Sequence, residues 1–117
     1  MRPRLLYLSF TALALAGCAG APAPLEQLQL SDQALDQARA VGVPEDSVEL
    51  RLATDKMAQA RADMADGNYK QARLNAEQAE LDARLAEARM LTQKSEDQLS
   101  VGNARIERLR MQLQEAK

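Results

Sequence analysis

Residues 66–90 read DGNYKQARLNAEQAELDARLAEARM, and this stretch decides the fold. After a Gly-Asn turn signal, seven residues recur at spacings of three and four: Tyr69, Ala72, Ala76, Ala79, Ala83, Ala86 and Met90. This spacing predicts one face of an α-helix. We call it the alanine seam, and its short side chains allow a second helix to approach closely.

The turn before the alanine seam predicts a helical hairpin. Gly67 suits the left-handed position that ends a helix, and Asn68 suits the N-cap of the next one, with Gln71 completing a capping box. Tyr69 is expected to pack at the tip. The preceding helix runs to about residue 66 and carries its own heptad-like seam: Leu50, Ala53, Met57, Ala60 and Met64. The two seams are expected to pack antiparallel.

A further helix is predicted upstream, from Leu25 to Val41. It carries a stripe of Leu28, Leu35 and Ala38. Gly42 suits the position just after its end, and Pro44 suits the first turn of the following helix. The chain is therefore expected to break twice between residues 25 and 69.

A second apolar stripe governs the end of the third helix, which has room to run to Lys117. Its members are Leu99, Gly102, Ile106, Leu109, Leu113 and Ala116. This stripe is out of register with the alanine seam. We therefore expect the apolar face to shift between Met90 and Leu99, with a bend or weak point near residues 92–102.

Two arrangements fit these helices, both within an all-α domain over residues 25–117. In the preferred one, a long antiparallel broken hairpin, helices one and two lie end to end against all of helix three. The stripe from Leu28 to Ala38 would then face the stripe from Leu99 to Leu113. In the alternative, the chain forms an up-down-up three-helix bundle from which residues beyond Met90 protrude.

The first 17 residues are predicted to be a lipoprotein signal peptide. Two arginines precede an apolar run of about 12 residues, which as a helix spans roughly 18 Å of the 30 Å that a bilayer core requires. Leu15-Ala16-Gly17-Cys18 resembles the lipobox of bacterial lipoproteins. This resemblance implies cleavage between Gly17 and Cys18, covalent lipid on Cys18, and anchoring in a membrane. Residues 18–24 would form a Pro/Ala tether.

The residues after the lipobox bear on which membrane holds the anchor. Lipoproteins kept in the inner membrane of enteric bacteria carry Asp just after the cysteine. Here Ala19-Gly20-Ala21 follows. The resemblance therefore implies the inner leaflet of the outer membrane, with the domain facing the periplasm.

Composition excludes several function classes. Without the signal, the chain carries 13 bases and 17 acids, which disfavours nucleic-acid binding. It has no His, its one Cys is assigned to lipid, and the sequence shows no phosphate-binding loop or paired metal-ligand cluster. We expect no catalytic residues, no metal and no cofactor, and hence no enzyme.

The turn residues and the alanine-rich run Asn75-Ala76-Glu77-Gln78-Ala79-Glu80, together with the lipobox and tether, carry a family resemblance. They resemble the small proteobacterial lipoproteins of the domain of unknown function 4398 family over roughly residues 11–95. That resemblance implies a helical fold and an envelope location, and it assigns no catalytic residue. The segment Gly67–Ala72 also resembles one tetratricopeptide turn, but such arrays need about three copies, so a plain hairpin turn is expected.

These observations predict a structural or protein-interaction role in the cell envelope, with an unidentified protein partner. Three alternatives remain open: self-association through the stripe from Leu99 to Leu113, a small-ligand or lipid carrier with an apolar cavity, and a covalent link from Lys117 to peptidoglycan. The preferred broken hairpin would return Lys117 to the membrane and so argues against that link. The bundle would project it away.

Overall fold

The computed structural model describes residues 20–117, so the predicted signal peptide and the lipid-acceptor Cys18 lie outside the described residues. Three helices follow one another: α1 is Leu25–Ala40, α2 is Val48–Ala65 and α3 is Tyr69–Glu115. Within residues 20–117 all regular structure is helical. The predicted all-α, hairpin-like class is confirmed.

Helices α2 and α3 pack antiparallel, as predicted. Arg89 forms an ion pair with Glu49 near the far end of the hairpin. Close to the turn, Asn75 Nδ2 donates a hydrogen bond of 2.7 Å to Asp63 Oδ2. Both pairs lie symmetrically about residue 69, which fixes one register along the hairpin.

The preferred placement of α1 is wrong, and the up-down-up alternative describes the molecule. Ser31 Oγ lies 2.7 Å from the Ala76 carbonyl oxygen, and Lys94 Nζ donates a bond of 2.6 Å to the Val41 carbonyl. Progress along α1 is thus progress in the same direction along α3. Helix α1 lies beside the hairpin and does not extend it.

The size of the side chains explains this arrangement. The alanine seam is so shallow that two helices can approach it at once, and three of the four buried residues of α1 are also small: Ser31, Ala34 and Ala38. The core comprises Ala34, Leu35, Ala38, Val43, Leu50, Ala53, Met57, Ala60, Ala76, Ala79, Ala83 and Ala86. Our prediction assumed that each stretch of α3 covers one helix. The close approach allowed by alanine removes that constraint.

Helices α1 and α2 end in the same way. Gly42 has φ 90° and Gly67 has φ 76°, a conformation that L side chains rarely adopt. Three residues after α1 ends, the Val43 amide donates to the Ala38 carbonyl, and three residues after α2 ends, the Asn68 amide donates to the Asp63 carbonyl. These bonds, with those from the glycine amides, form Schellman motifs. Both chain reversals therefore depend on glycine.

The starts of α2 and α3 differ from the prediction. Pro44 lies in a separate turn, in which the Ser47 amide donates to its carbonyl, and α2 begins only at Val48. Asn68 occupies the N-cap of α3 but its side chain makes no capping bond, and Gln71 donates to Asn75 at 3.5 Å. The predicted capping box is therefore absent. Gln71 instead contacts Asn75, whose side-chain amide donates to Asp63 across the hairpin.

Helix α3 runs through residues 92–102 without interruption, in contrast to the predicted weak point. The three-helix part, residues 25–90, we call the head. Residues 91–117, which we call the arm, are all exposed. At helical rise, the arm extends roughly 40 Å beyond the head. None of the described helices is both long and apolar enough to cross a bilayer.

Candidate interaction surface along the third helix

The tether and the arm leave the head at opposite ends. Gly20 and Ala21 lie beside the α2–α3 turn, where they and residues 67–71 line an open surface hollow of about 660 Å³. Helix α3 begins at this turn and has 47 residues, so its far end lies roughly 70 Å away. A lipid attached before residue 20 would therefore hold the end of the head opposite the arm.

Helix α3 carries two apolar seams on opposite faces. The alanine seam faces α1 and α2 and ends at Met90. A second set is offset by two residues and continues the stripe of the arm backwards in unbroken steps of three and four. We call it the outer seam: Leu74, Gln78, Leu81, Leu85, Ala88, Thr92, Ser95, Leu99, Gly102, Ile106, Leu109, Leu113 and Ala116. The sequence predicted that one apolar seam moves to another face of α3 between Met90 and Leu99. The structure instead has two seams on opposite faces, and only the outer seam continues into the arm.

The outer seam is exposed along its length except at Gln78, which is half-buried. Leu81 on the head and Leu99 on the arm are each 66% exposed, and Leu113 is 69% exposed. Neither α1 nor α2 covers them, since both helices pack on the other face of α3. The molecule thus presents a long row of uncovered leucines, which soluble helices normally bury.

Charged residues beside the outer seam change along α3. In coiled-coil terms, each seam residue is flanked by positions e and g. Glu96 occupies such a position at the base of the arm, whereas from residue 98 onward those positions hold only basic or neutral residues: Gln98, Asn103, Arg105, Arg110, Gln112 and Lys117. The acids between residues 98 and 117, Glu107 and Glu115, lie farther round the helix. Arg110 contacts Glu107 at 2.7 Å, but both side chains are more than 60% exposed, so this pair contributes little.

Polar contacts position α3 within the head. Glu80 accepts hydrogen bonds of 2.7 Å from both Arg84 and Gln27, which joins α1 to α3. The Arg84 bond, followed by that of Gln27, holds the pKa of Glu80 below its ordinary value and outweighs the effect of burial. These contacts fix helix positions. Among residues 20–117, no group of three His, Cys, Asp or Glu side chains could hold a metal ion.

The residues singled out from the sequence fall into separate places. Gly67, Asn68 and Tyr69 lie at the tether end, whereas Gly42 and Pro44 lie at the opposite end of the head, where the arm begins. Lys117 lies beyond α3, at the far end of the arm. Gly17 and Cys18 are outside the described residues. No single site unites them.

Two features were missed from the sequence. Lys94 binds the Val41 carbonyl and so ties the base of the arm to the α1–α2 connection. No local sequence pattern predicts a contact between residues that are 53 positions apart. The extension of the outer seam to Leu74 did have a signal, because the spacing of the arm stripe continues unbroken toward the N-terminus.

A family model described as a domain of unknown function, DUF4398, matches residues 26–100. The chain belongs to the DUF4398 family. A DUF4398 family protein from Pseudomonas aeruginosa, known from a crystal structure, shares 58% sequence identity with this chain. The two structures superpose with a TM-score of 0.79, and the match covers 82% of this chain and all of that one. The predicted family resemblance is confirmed. A search of the curated proteins finds no match.

Proposed function

We propose that this DUF4398 protein is a lipid-anchored helical adaptor of the bacterial cell envelope, which holds an interaction arm away from its membrane. One observation carries the proposal: the tether enters beside the turn at Gly67, and the arm leaves from the other end of the head. An anchor at Cys18 would then direct the exposed leucines of the arm into the periplasm.

The lipobox supports the anchor, and Ala19-Gly20-Ala21 supports the outer membrane as its location. The Pro/Ala composition of residues 19–24 gives a short extended spacer between lipid and head. Because two or three acyl chains hold a protein to a bilayer almost permanently, the anchor would fix one end of the molecule.

Metabolic labelling with a fatty acid tests the anchor. The natural chain should incorporate label, and Cys18→Ser should lose it completely. Ala21→Ser, which changes the tether but leaves the lipobox intact, is the control and should label normally. Undiminished label on the Cys18→Ser variant would contradict the proposal.

Thiol labelling tests the orientation. If Cys18 carries lipid, Met111→Cys places the one free thiol of the chain on the arm, where Met111 is 54% exposed. A membrane-impermeant maleimide should label this variant only after the outer membrane is permeabilised. Labelling of intact cells would place the arm outside the cell, and no labelling after permeabilisation would place it in the cytoplasm; either result contradicts a periplasmic arm.

A covalent link between Lys117 and peptidoglycan is the second candidate function. The observation in its favour is that α3 carries Lys117, whose side chain is exposed, to the end of the arm farthest from the tether. This is the arrangement that the broken hairpin would have excluded. Muramidase digestion of purified cell walls should release the protein with attached wall fragments. Lys117→Arg should abolish this release, while Lys94→Arg should not, and free protein in every sample would exclude the link.

A further inference from the structure

The arm has the surface of one half of a coiled coil. Its apolar residues repeat at three and four from Leu99 to Ala116, the heptad spacing by which two helices interlock. We propose that the outer seam of the arm binds a helix of another protein, whose own apolar heptad seam is flanked by acidic residues. This inference rests on the proposed adaptor role and adds the chemistry of the partner.

The shape of the seam favours a helix over a lipid surface. Helices that lie on membranes segregate a broad apolar face from a polar one. In the arm, the seam occupies two positions in seven, and Val101 and Met111 are exposed on other faces, at 67% and 54%. Such a narrow stripe matches the width of a second helix.

The charges beside the seam specify the partner's flanks. From residue 98 to 117, the flanking positions offer Arg105, Arg110 and Lys117, and their other members are Gln or Asn. Acidic side chains on the partner would face these cations across the seam. In coiled coils, such flanking pairs decide which helices associate.

The same charges oppose pairing with a second copy. In a parallel dimer, position g of one helix faces position e five residues later on the other, so Arg105 would face Arg110 twice. In an antiparallel dimer that pairs Ile106 with Leu109 of the other copy, g faces g and e faces e, so Arg105 and Arg110 would face Gln112 and Asn103. The parallel dimer therefore brings cations together, which destabilises it, and this antiparallel dimer offers its arginines no acidic partner.

The outer seam also allows a longer contact than the arm alone. It keeps one phase from Leu74 to Ala116, roughly 64 Å at helical rise. Gln78, Thr92 and Ser95 interrupt the apolar residues but not the spacing. A partner helix could thus continue from the arm along the exposed leucines of the head, including Leu81 and Leu85.

Two synthetic peptides test the inference on the mature chain, residues 18–117 with Cys18→Ser, whose entire described core lies within residues 34–86. Each peptide has about five heptads with Leu and Ile in the seam. One carries Glu at every flanking position and the other carries Lys. Fluorescence anisotropy should show that the Glu peptide binds about tenfold more tightly or better, the sum of several weak pairs.

Variants of matched exposure locate the binding face. Leu109 is 50% exposed on the seam, and Met111 is 54% exposed on another face of the same helix. Leu109→Gln should weaken binding of the Glu peptide about tenfold, whereas Met111→Gln should change it less than about twofold. The double variant Arg105→Glu, Arg110→Glu should reverse the preference in favour of the Lys peptide.

Several outcomes would overturn the inference. Equal binding of the two peptides, or no binding of either, would remove the acidic-flanked helix as partner. Sedimentation of a dimer that Leu109→Gln dissociates would make a second copy the occupant. Binding to phosphatidylglycerol vesicles that Leu109→Gln abolishes and the Glu peptide cannot compete with would make lipid the occupant. None of these results depends on fatty-acid labelling. The lipid anchor is therefore tested separately from the partner of the arm.

Discussion

The two halves of α3 belong to one continuous helix but differ in burial. From Tyr69 to Met90 the helix is covered on one face by α1 and α2, and its seam alanines from Ala72 to Ala83 are fully buried. From residue 91 onward, every residue is exposed. The first half needs its tertiary contacts, whereas the second half extends a helix that the first half has already nucleated. Because propagation of a helix costs far less than nucleation, the arm can persist without a covering partner.

The comparison also explains the choice of residues. In the head, Ala at the seam permits two neighbouring helices at close range, and the leucines of α3 lie on the opposite face. In the arm, Leu and Ile occupy the outer seam, and no alanine seam continues. The sequence of α3 thus changes from a surface that packs within the chain to one that is available to another molecule.

Enlarging an alanine of the buried seam is the strongest way to break the head. Ala83 has no exposed surface, and Ala83→Leu should force α1 and α2 apart and destabilise the domain by about 3 kcal/mol. Urea unfolding followed by circular dichroism measures this. Ala104→Leu, on an exposed face of the arm, is the matched control and should leave the midpoint unchanged. Equal effects would mean that the alanine seam does not set the helix spacing.

Glycine gives a second contrast between the two regions. Gly67 has φ 76° with no atom within 4 Å of an added Cβ, so Gly67→Ala should cost about 1–2 kcal/mol through backbone strain alone. Gly102 lies inside the helix of the arm, also with free space around it. Gly102→Ala should raise the helicity of the arm and not lower the melting temperature of the head. If Gly102→Ala lowered the stability of the protein, the added methyl group would have to meet a neighbouring atom, and the structure has none within 4 Å.

The sequence predicted much of the head and less of its assembly. The hairpin about residue 69 follows from two seams of matching length and a glycine turn, which are local signals. The position of α1 does not, because Leu35 and Ala38 could have faced either half of α3. Contacts such as Ser31 with Ala76 and Lys94 with Val41 decide it, and no spacing rule reveals pairs so far apart in the chain. Of the candidate interaction surface, the sequence predicts the part on the arm. The part on the head, from Leu74 to Ala88, becomes evident once α3 is found to run through residues 92–102 as one helix.

The contacts of Glu80 in the head and of Glu107 in the arm should differ in how much they stabilise the protein as the pH changes. Since the pKa of Glu80 is lowered in the folded protein, its stabilisation is present above the unfolded value of about 4.5 and is lost as the pH falls through the lower folded value. Glu80→Gln should therefore destabilise by about 0.5–1 kcal/mol at pH 7 and make no difference in strong acid. Thermal melts across pH test this. Glu107→Gln, in the exposed pair of the arm, should track the natural protein at every pH.

The smallest expected effect on the stability of the head comes from removing most of the arm. A chain that ends at residue 97 keeps Lys94 and its bond to Val41 but lacks the seam from Leu99 onward. Because none of the deleted residues is buried, the head should unfold within about 0.5 kcal/mol of the natural chain. Amide hydrogen exchange on the natural protein should agree, with residues 72–86 exchanging far more slowly than residues 99–113. If the deletion unfolds the head, or if the arm amides are equally protected, then the arm is covered in solution, and the free surface inferred for the outer seam does not exist.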